Sequence, residues 1–303
     1  MYDLAIVGAG PAGLNASIYA SRYGVKNIII GEPGGLLTKT HEIGNWLGTI
    51  KTTGAEFAQK CEEHARSYGA EIEYTLVGKI EKTDGPFRLS LENGKDIEAR
   101  AVLIAMGTAH RHLDVPGETK FAGKGVSYCA SCDGFFYRGK TVAVIGGNDS
   151  AVGAAVYLAD ITNKVYLVYR KDGLRAEKFW VESAEKNPKI EIIYNTNVIE
   201  IKGKDRLEEL VLDNPHNGAA SLKADGLFIE IGADPNSELM AVLGVALDDS
   251  RHVKINAEGM TNVEGVWAAG DITDGSNKFK QIVTAAAEGA TAAFSIQRYL
   301  KKK

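Results

Sequence analysis

The sequence predicts an α/β protein built from two Rossmann-like domains, and two observations carry that reading. A Gly-rich turn follows an apolar strand twice, at Gly8 and at Gly146, and each turn leads into a helical stretch and a second apolar strand. The two stretches also align without a gap. Val144-Ile145-Gly146 lies over Ile6-Val7-Gly8, Ala151 over Gly13, Tyr157 over Tyr19, and Val165-Tyr166-Leu167-Val168 over Asn27-Ile28-Ile29-Ile30. Such a repeat of a whole βαβ start implies two dinucleotide-type domains.

The bulk numbers agree. A chain of 303 residues is long enough for two domains with cores of ordinary size. It is 45% hydrophobic and 24% charged, as soluble globular proteins are. A net charge of −4 argues against nucleic acid or an anionic membrane as the main partner. No apolar run approaches the ~20 residues of a membrane span. Leu4-Ala5-Ile6-Val7 reads as a strand feeding the first turn, which leaves no place for a signal peptide, so a cytoplasmic location is expected. Three cysteines make no disulfide scaffold, and in a reducing compartment a CxxC is more often redox-active or metal-binding.

Taken in order, residues 2–7 form a strand and Gly8-Ala9-Gly10-Pro11-Ala12-Gly13 completes a GxGxxG turn. A helix then runs to about Tyr23. The glycines allow a tight turn and close backbone approach to a pyrophosphate, whose charge sits on the helix N-terminus. The second strand ends at Glu32, where a carboxylate can bond a ribose hydroxyl. Gly34 to Thr38 and Asn45 to Gly48 are loop-like. An amphipathic helix is expected from about Gly54 to Tyr68, with Cys61 a small core residue on its apolar face. Residues 71–103 alternate as strands with turns at Asp84-Gly85-Pro86 and Glu92-Asn93-Gly94, a small antiparallel insertion returning to the sheet at residues 101–105. His110 to Glu118 reads as a connection between domains.

Cys129-Ala130-Ser131-Cys132-Asp133 follows. Two thiols at this spacing can close a small disulfide, and Asp133, the carboxylate adjacent to the pair, is the candidate for moving protons as that disulfide opens and closes. Two blander readings stand beside it: Asp133 as a surface-turn residue, and a zinc site from His110, His112, Cys129 and Cys132.

In the second repeat, Arg170 stands where the first has Glu32, with Lys171 and Arg175 close by. A carboxylate there favours a free 2′-hydroxyl, whereas guanidinium groups pair with a 2′-phosphate, so this site is built for NADP(H). Its turn, Gly146-Gly147-Asn148-Asp149-Ser150-Ala151, has Asn148 in place of the middle glycine. After a further β-rich segment, Val266-Trp267-Ala268-Ala269-Gly270-Asp271 is a strand running into Gly-Asp, a carboxylate suited to holding a polyol. An Ala-rich helix from about Gln281 to Leu300 closes the chain.

Together the motifs GAGPAG, GGLLT, NWLG, CASCDG, GGNDSA, YRKDGLRAEK, GVWAAGD and KQIVTAAAEG resemble, in order and spacing, the low-molecular-weight thioredoxin reductases over nearly the whole chain. The resemblance implies two Rossmann-like (three-layer ββα) domains, the second inserted into the first. These are an FAD-binding domain over 1–113 and 242–303, and an NADP(H)-binding domain over 114–241 that carries the redox pair. It assigns Gly8, Gly10, Pro11, Ala12, Gly13, Glu32, Gly35, Leu36, Asn45, Gly107, Gly270, Asp271, Lys280, Gln281 and Ile282 to FAD. Gly146, Gly147, Asn148, Asp149, Ser150, Arg170, Lys171 and Arg175 fall to NADPH. Cys129 and Cys132 become the catalytic pair with Asp133, no metal is required, and a thioredoxin-like protein and a homodimer are the implied partners. Because the redox pair and the NADPH site share one domain, the resemblance also implies that this domain rotates about linkers near 113–117 and 233–241. The chain departs from the family pattern at Leu36, Asn148, Tyr169, Lys171 and Lys280. Related enzymes draw electrons from ferredoxin, a deazaflavin or NADH, which is the alternative for the donor.

Overall fold

The computed structural model describes residues 1–39 and 43–302. The chain forms two units, one from Met1–Ala109 with Asp234–Lys303 and one from His110–Ala233. The second is thus inserted into the first.

In the first unit a sheet runs in the order Glu71–Glu73, Asn27–Pro33, Tyr2–Ala9, Asp96–Ile104, Phe87–Leu91, Val77–Lys82. The strand Asp96–Ile104 joins its two halves. Its start pairs antiparallel with Phe87–Leu91, and its end pairs parallel with Tyr2–Ala9 and with Val266–Ala268. The apolar runs are continuous because both sheet faces are covered. Leu4 and Ile6 point into a core shared with helices Pro11–Arg22 and Ile282–Leu300, while Ala5 and Val7 point into a second core with Ile80, Leu89 and Met240. Gly289 lets the two helices touch, since a Cβ there would lie 2.1 Å from the Ala12 carbonyl oxygen.

The second unit repeats the plan. Five parallel strands run in the order Ile190–Ile193, Lys164–Val168, Thr141–Ile145, Gly226–Ile229, Val126–Ser127. One face packs on helices Asp149–Ile161 and Lys178–Lys186 through Val142, Val144, Leu158 and Ala184. The other packs on an antiparallel sheet of Val198–Lys202, Glu209–His216 and Ala219–Lys223 through Ala143, Ile145, Ile201 and Leu210. That is the three-layer ββα arrangement.

Three details differ from the sequence reading. Both crossings between units come earlier than 113/114 and 241/242. Leu113 and Val115 pack on the core of the second unit, and Met240, on the short helix Glu238–Val242, is fully buried in the first. The segment 110–118 is also no loose connection. The buried Glu118 carboxylate accepts the backbone N–H groups of Leu113 (3.1 Å) and Asp114 (2.7 Å) and the Tyr128 hydroxyl (2.5 Å). Burial works to raise its pKa, but these bonds and one from His112 outweigh that and hold it low. Finally, Glu71–Glu73 extends the parallel sheet beside Asn27–Pro33 instead of belonging to the antiparallel insertion.

Candidate functional site

In the first unit the Gly8 turn is shaped by contacts that exclude side chains. Gly8 has φ +117°, and a Cβ there would lie 2.2 Å from the Ala105 carbonyl oxygen. A Cβ on Gly13 would lie 2.0 Å from the Gly8 carbonyl oxygen, so the helix can sit this close only on glycine. Gly10 differs. Nothing lies within 4 Å of the Cβ position at Gly10, and a Cβ on Gly35 would lie 3.9 Å from the Gly10 Cα. Gly10 is the N-cap of helix Pro11–Arg22, no side chain caps that helix, and its first turn holds no acid. An open cradle bounded by bare backbone and unclaimed N–H groups fits a pyrophosphate. Glu32 is exposed near the end of the neighbouring strand Asn27–Pro33.

The other residues expected around a flavin gather in the same unit. Leu36 lies in the short helix Gly35–Lys39, and Gly107 follows strand Asp96–Ile104. Asn45 Nδ2 donates to Gln281 Oε1 at 2.9 Å, and Ile282 packs against the cluster of Leu37, Ile43 and Phe57. Gly270 faces Ala12, whose Cβ would be 2.9 Å from one on Gly270. Burial raises the pKa of Asp271; Lys280 opposes this and Glu288 adds to it. Lys280 Nζ donates to the Thr273 carbonyl at 2.5 Å. Glu288 ties the turn together by accepting from Gly270 N (2.9 Å), Thr273 Oγ1 (2.8 Å) and Ser276 Oγ (2.6 Å).

In the second unit Cys129 is buried and disulfide-bonded; Cys61, in the first unit, is free, and burial pushes its thiol up to about 11. The side chain of Cys132, on the short helix Ala130–Asp133, lies outside the described residues. Ser127 links the cysteine to the acid. Its Oγ accepts Cys129 N–H at 3.0 Å and donates to Asp133 Oδ2 at 2.6 Å. Glu230 accepts the Ala130 N–H, and burial pushes its carboxyl up to about 8. Beyond Asp133 the turn Gly134–Tyr137 packs on Tyr157, Leu158 and Ile161 through Gly134. Phe135 and Phe136 are left 64% and 69% exposed. His112 Nδ1 is engaged by Tyr128 and Glu118, and Cys129 by its disulfide. Among the described residues no three His, Cys, Asp or Glu side chains group around a metal position.

At the second turn Gly146 has φ +142°, and a Cβ there would meet the Glu230 carbonyl at 2.3 Å. Gly147 is overlaid by the Tyr169 ring, 2.6 Å from a Cβ position. Asn148 caps helix Asp149–Ile161, its Oδ1 accepting Ala151 N–H at 3.0 Å. Asp149 Oδ1 accepts Glu177 N–H at 2.6 Å, and Ser150 is exposed on the first turn of that helix. Arg175 N donates to the Gly147 carbonyl at 2.6 Å, which brings Arg175 to the turn. Arg170, Lys171 and Arg175 are exposed.

Sequence reading missed Ser127, Glu230, Glu288 and the Phe135-Phe136 pair. Only the last had a local signal: two adjacent aromatics directly after a CxxC, where the alternation of a buried strand is absent. Ser127 acts through neighbours two and six residues away, and Glu230 and Glu288 through contacts more distant in sequence.

The sequence profile of the pyridine nucleotide-disulphide oxidoreductases matches residues 2–289. A thioredoxin reductase of Helicobacter pylori is 41% identical over 311 residues, covering 99% of each chain. One from Bacillus subtilis is 39% identical over 307 residues, covering 100% of this chain and 96% of the relative. The crystal structure of Lactococcus lactis thioredoxin reductase in its FR conformation is similar at a TM-score of 0.94 and 35% identity, over 100% of both chains. No described helix is long and apolar enough to cross a membrane.

Proposed function

Because the chain belongs to the pyridine nucleotide-disulphide oxidoreductase family, we propose that it is a cytoplasmic, homodimeric thioredoxin-disulfide reductase that takes electrons from NADPH. The observation that carries the reading is the Ser127-bridged contact between Cys129 and Asp133, beside two exposed phenylalanines. When bound, FAD and NADPH would supply the hydride chemistry that reduces the cysteine pair. Gly8, Gly10, Gly13, Glu32, Gly35, Asn45, Asp271 and Gln281 would hold FAD, and Arg170, Lys171 and Arg175 the 2′-phosphate of NADPH.

The chain's own part is thiol–disulfide exchange. In the reduced pair one thiolate attacks the disulfide of the partner protein and forms a mixed disulfide. The second cysteine then attacks the first, closing the Cys129–Cys132 bond and releasing the partner as a dithiol. Asp133 holds and returns the proton that moves between sulfur and solvent in these steps. Phe135 and Phe136 offer the protein partner an apolar surface next to the reacting sulfur.

Anaerobic mixing of the flavin-loaded protein with NADPH or NADH, followed at the flavin band, tests this reading. NADPH alone bleaches the band, an oxidised thioredoxin restores it, and Cys129→Ser abolishes the restoration. The second reading, a donor other than NADPH, is favoured by the way Asn148 caps its own helix. Bleaching by NADH alone, or by neither nucleotide while dithionite still bleaches, would select it. Crosslinking the two units tests the expected rotation, and unimpaired turnover of the locked form would count against it.

A further inference from the structure

The two Gly turns are copies of one design with one difference in their donors. In the first copy Gly10 leaves helix Pro11–Arg22 uncapped, with open space before it and no acid in the first turn. In the second, at the equivalent position, Asn148 Oδ1 accepts Ala151 N–H at 3.0 Å, and Asp149 puts a carboxylate on the first turn. A carboxamide oxygen on that donor occupies the place an anion would take. The Tyr169 hydroxyl end lies over Gly147 in the same turn; it is 4% exposed and its oxygen has no hydrogen-bond partner among the described residues. A polar group buried at a phosphate turn without a partner is one that a ligand would satisfy. The cations Arg170, Lys171 and Arg175, by contrast, stand exposed with no carboxylate at ion-pair distance among the described residues.

We propose that Asn148 is a built-in competitor for the nucleotide pyrophosphate, so that this turn binds NADP(H) chiefly through its 2′-phosphate and holds it weakly. The inference rests on the reading that the second unit binds NADPH. The nucleotide must displace the Asn148 carboxamide before its pyrophosphate can use Ala151 N–H, and Asp149 opposes it by charge. The adenosine end meets no such competitor. Affinity for the whole nucleotide is therefore set by Asn148, and affinity for the adenosine end is not.

The experiment is calorimetric titration of the flavin-loaded full chain with NADP⁺ and with adenosine 2′-monophosphate, which lacks the pyrophosphate. Replacing an Asn cap with Gly costs a helix only a few tenths of a kcal/mol, so Asn148→Gly should fold. It is expected to tighten NADP⁺ binding by about twofold, the small margin by which an Asn cap exceeds Gly, and to leave adenosine 2′-monophosphate unchanged. Asn148→Asp keeps the cap and adds a charge, and is expected to weaken NADP⁺ by about fivefold or more, again without moving the 2′-monophosphate. NADP⁺ binding that is unmoved in both variants, or moved in parallel with the 2′-monophosphate, overturns the proposal alone. No binding of either ligand to any form overturns it together with the NADPH reading.

Discussion

Ser127 donates to the Asp133 carboxylate at 2.6 Å while its oxygen accepts the Cys129 N–H at 3.0 Å, so one buried hydroxyl fixes both the acid and the sulfur-bearing backbone. A proton carrier works only when held within hydrogen-bond reach of its target. Asp133→Asn is therefore expected to slow oxidation of the reduced pair by a thioredoxin-like protein by about a hundredfold or more, and Ser127→Ala by about tenfold. If Ser127 acts through Asp133, the double variant is no slower than Asp133→Asn alone. Rapid-mixing rates that multiply in the double variant would assign Ser127 a separate, structural role.

Phe135 and Phe136 project from a turn whose Gly134 is wedged against Tyr157, Leu158 and Ile161, so their exposure is held in place by packing. Exposed aromatics beside a reacting group are typical anchors for a protein partner. Replacing both with serine is expected to raise KM for a thioredoxin-like protein by about tenfold, since only part of the buried area appears as affinity. Turnover of a small aromatic disulfide should stay as it was. Equal losses with both substrates would mean the turn had shifted the cysteines.

The parts of this design legible in the sequence are those written locally. Gly8, Gly10 and Gly13 announce a turn because strand, turn and helix are contiguous, and the exchange of Glu32 for Arg170 is visible because the repeat has no gap. Asn148 was visible as a departure, but its capping of Ala151 needed coordinates. Glu230 reads as one polar residue in an apolar strand. Nothing near it says that Ala130 will hydrogen-bond to it, because that contact is made by the order of strands in the sheet. Glu288 likewise looks like a solvated residue of an Ala-rich helix, yet it holds the Gly270 turn. Leu113 and Met240 declare their sides only through packing.

Asn45 and Gln281 come from loop and helix start, and they meet through one exposed bond of 2.9 Å. A neutral hydrogen bond of this kind contributes about 1 kcal/mol, or roughly fivefold in an equilibrium. Asn45→Ala and Gln281→Ala are each expected to weaken flavin retention by about fivefold, and the double variant by little more. Flavin release followed by fluorescence measures it. Wild-type retention in both single variants would remove this pair from the cofactor site.

Glu230 makes stability depend on pH with a sign that can be worked out. Burial raises its carboxyl from 4.5 to about 8 in the folded chain. Below the unfolded value both states carry the proton, and the folded state loses nothing. Between the two values the unfolded chain releases the proton that the folded chain keeps, so stability falls as pH rises, by about 1.4 kcal/mol per unit. Above about 8 both states are ionised and the loss is complete. Glu230→Gln keeps an acceptor for the Ala130 N–H without the charge. Thermal midpoints of wild type and variant should therefore nearly coincide near pH 5 and separate by a few degrees per unit toward pH 8, with the variant the more stable. Parallel curves across that range would mean that the carboxyl ionises freely, and that the Ala130 contact does not enclose it.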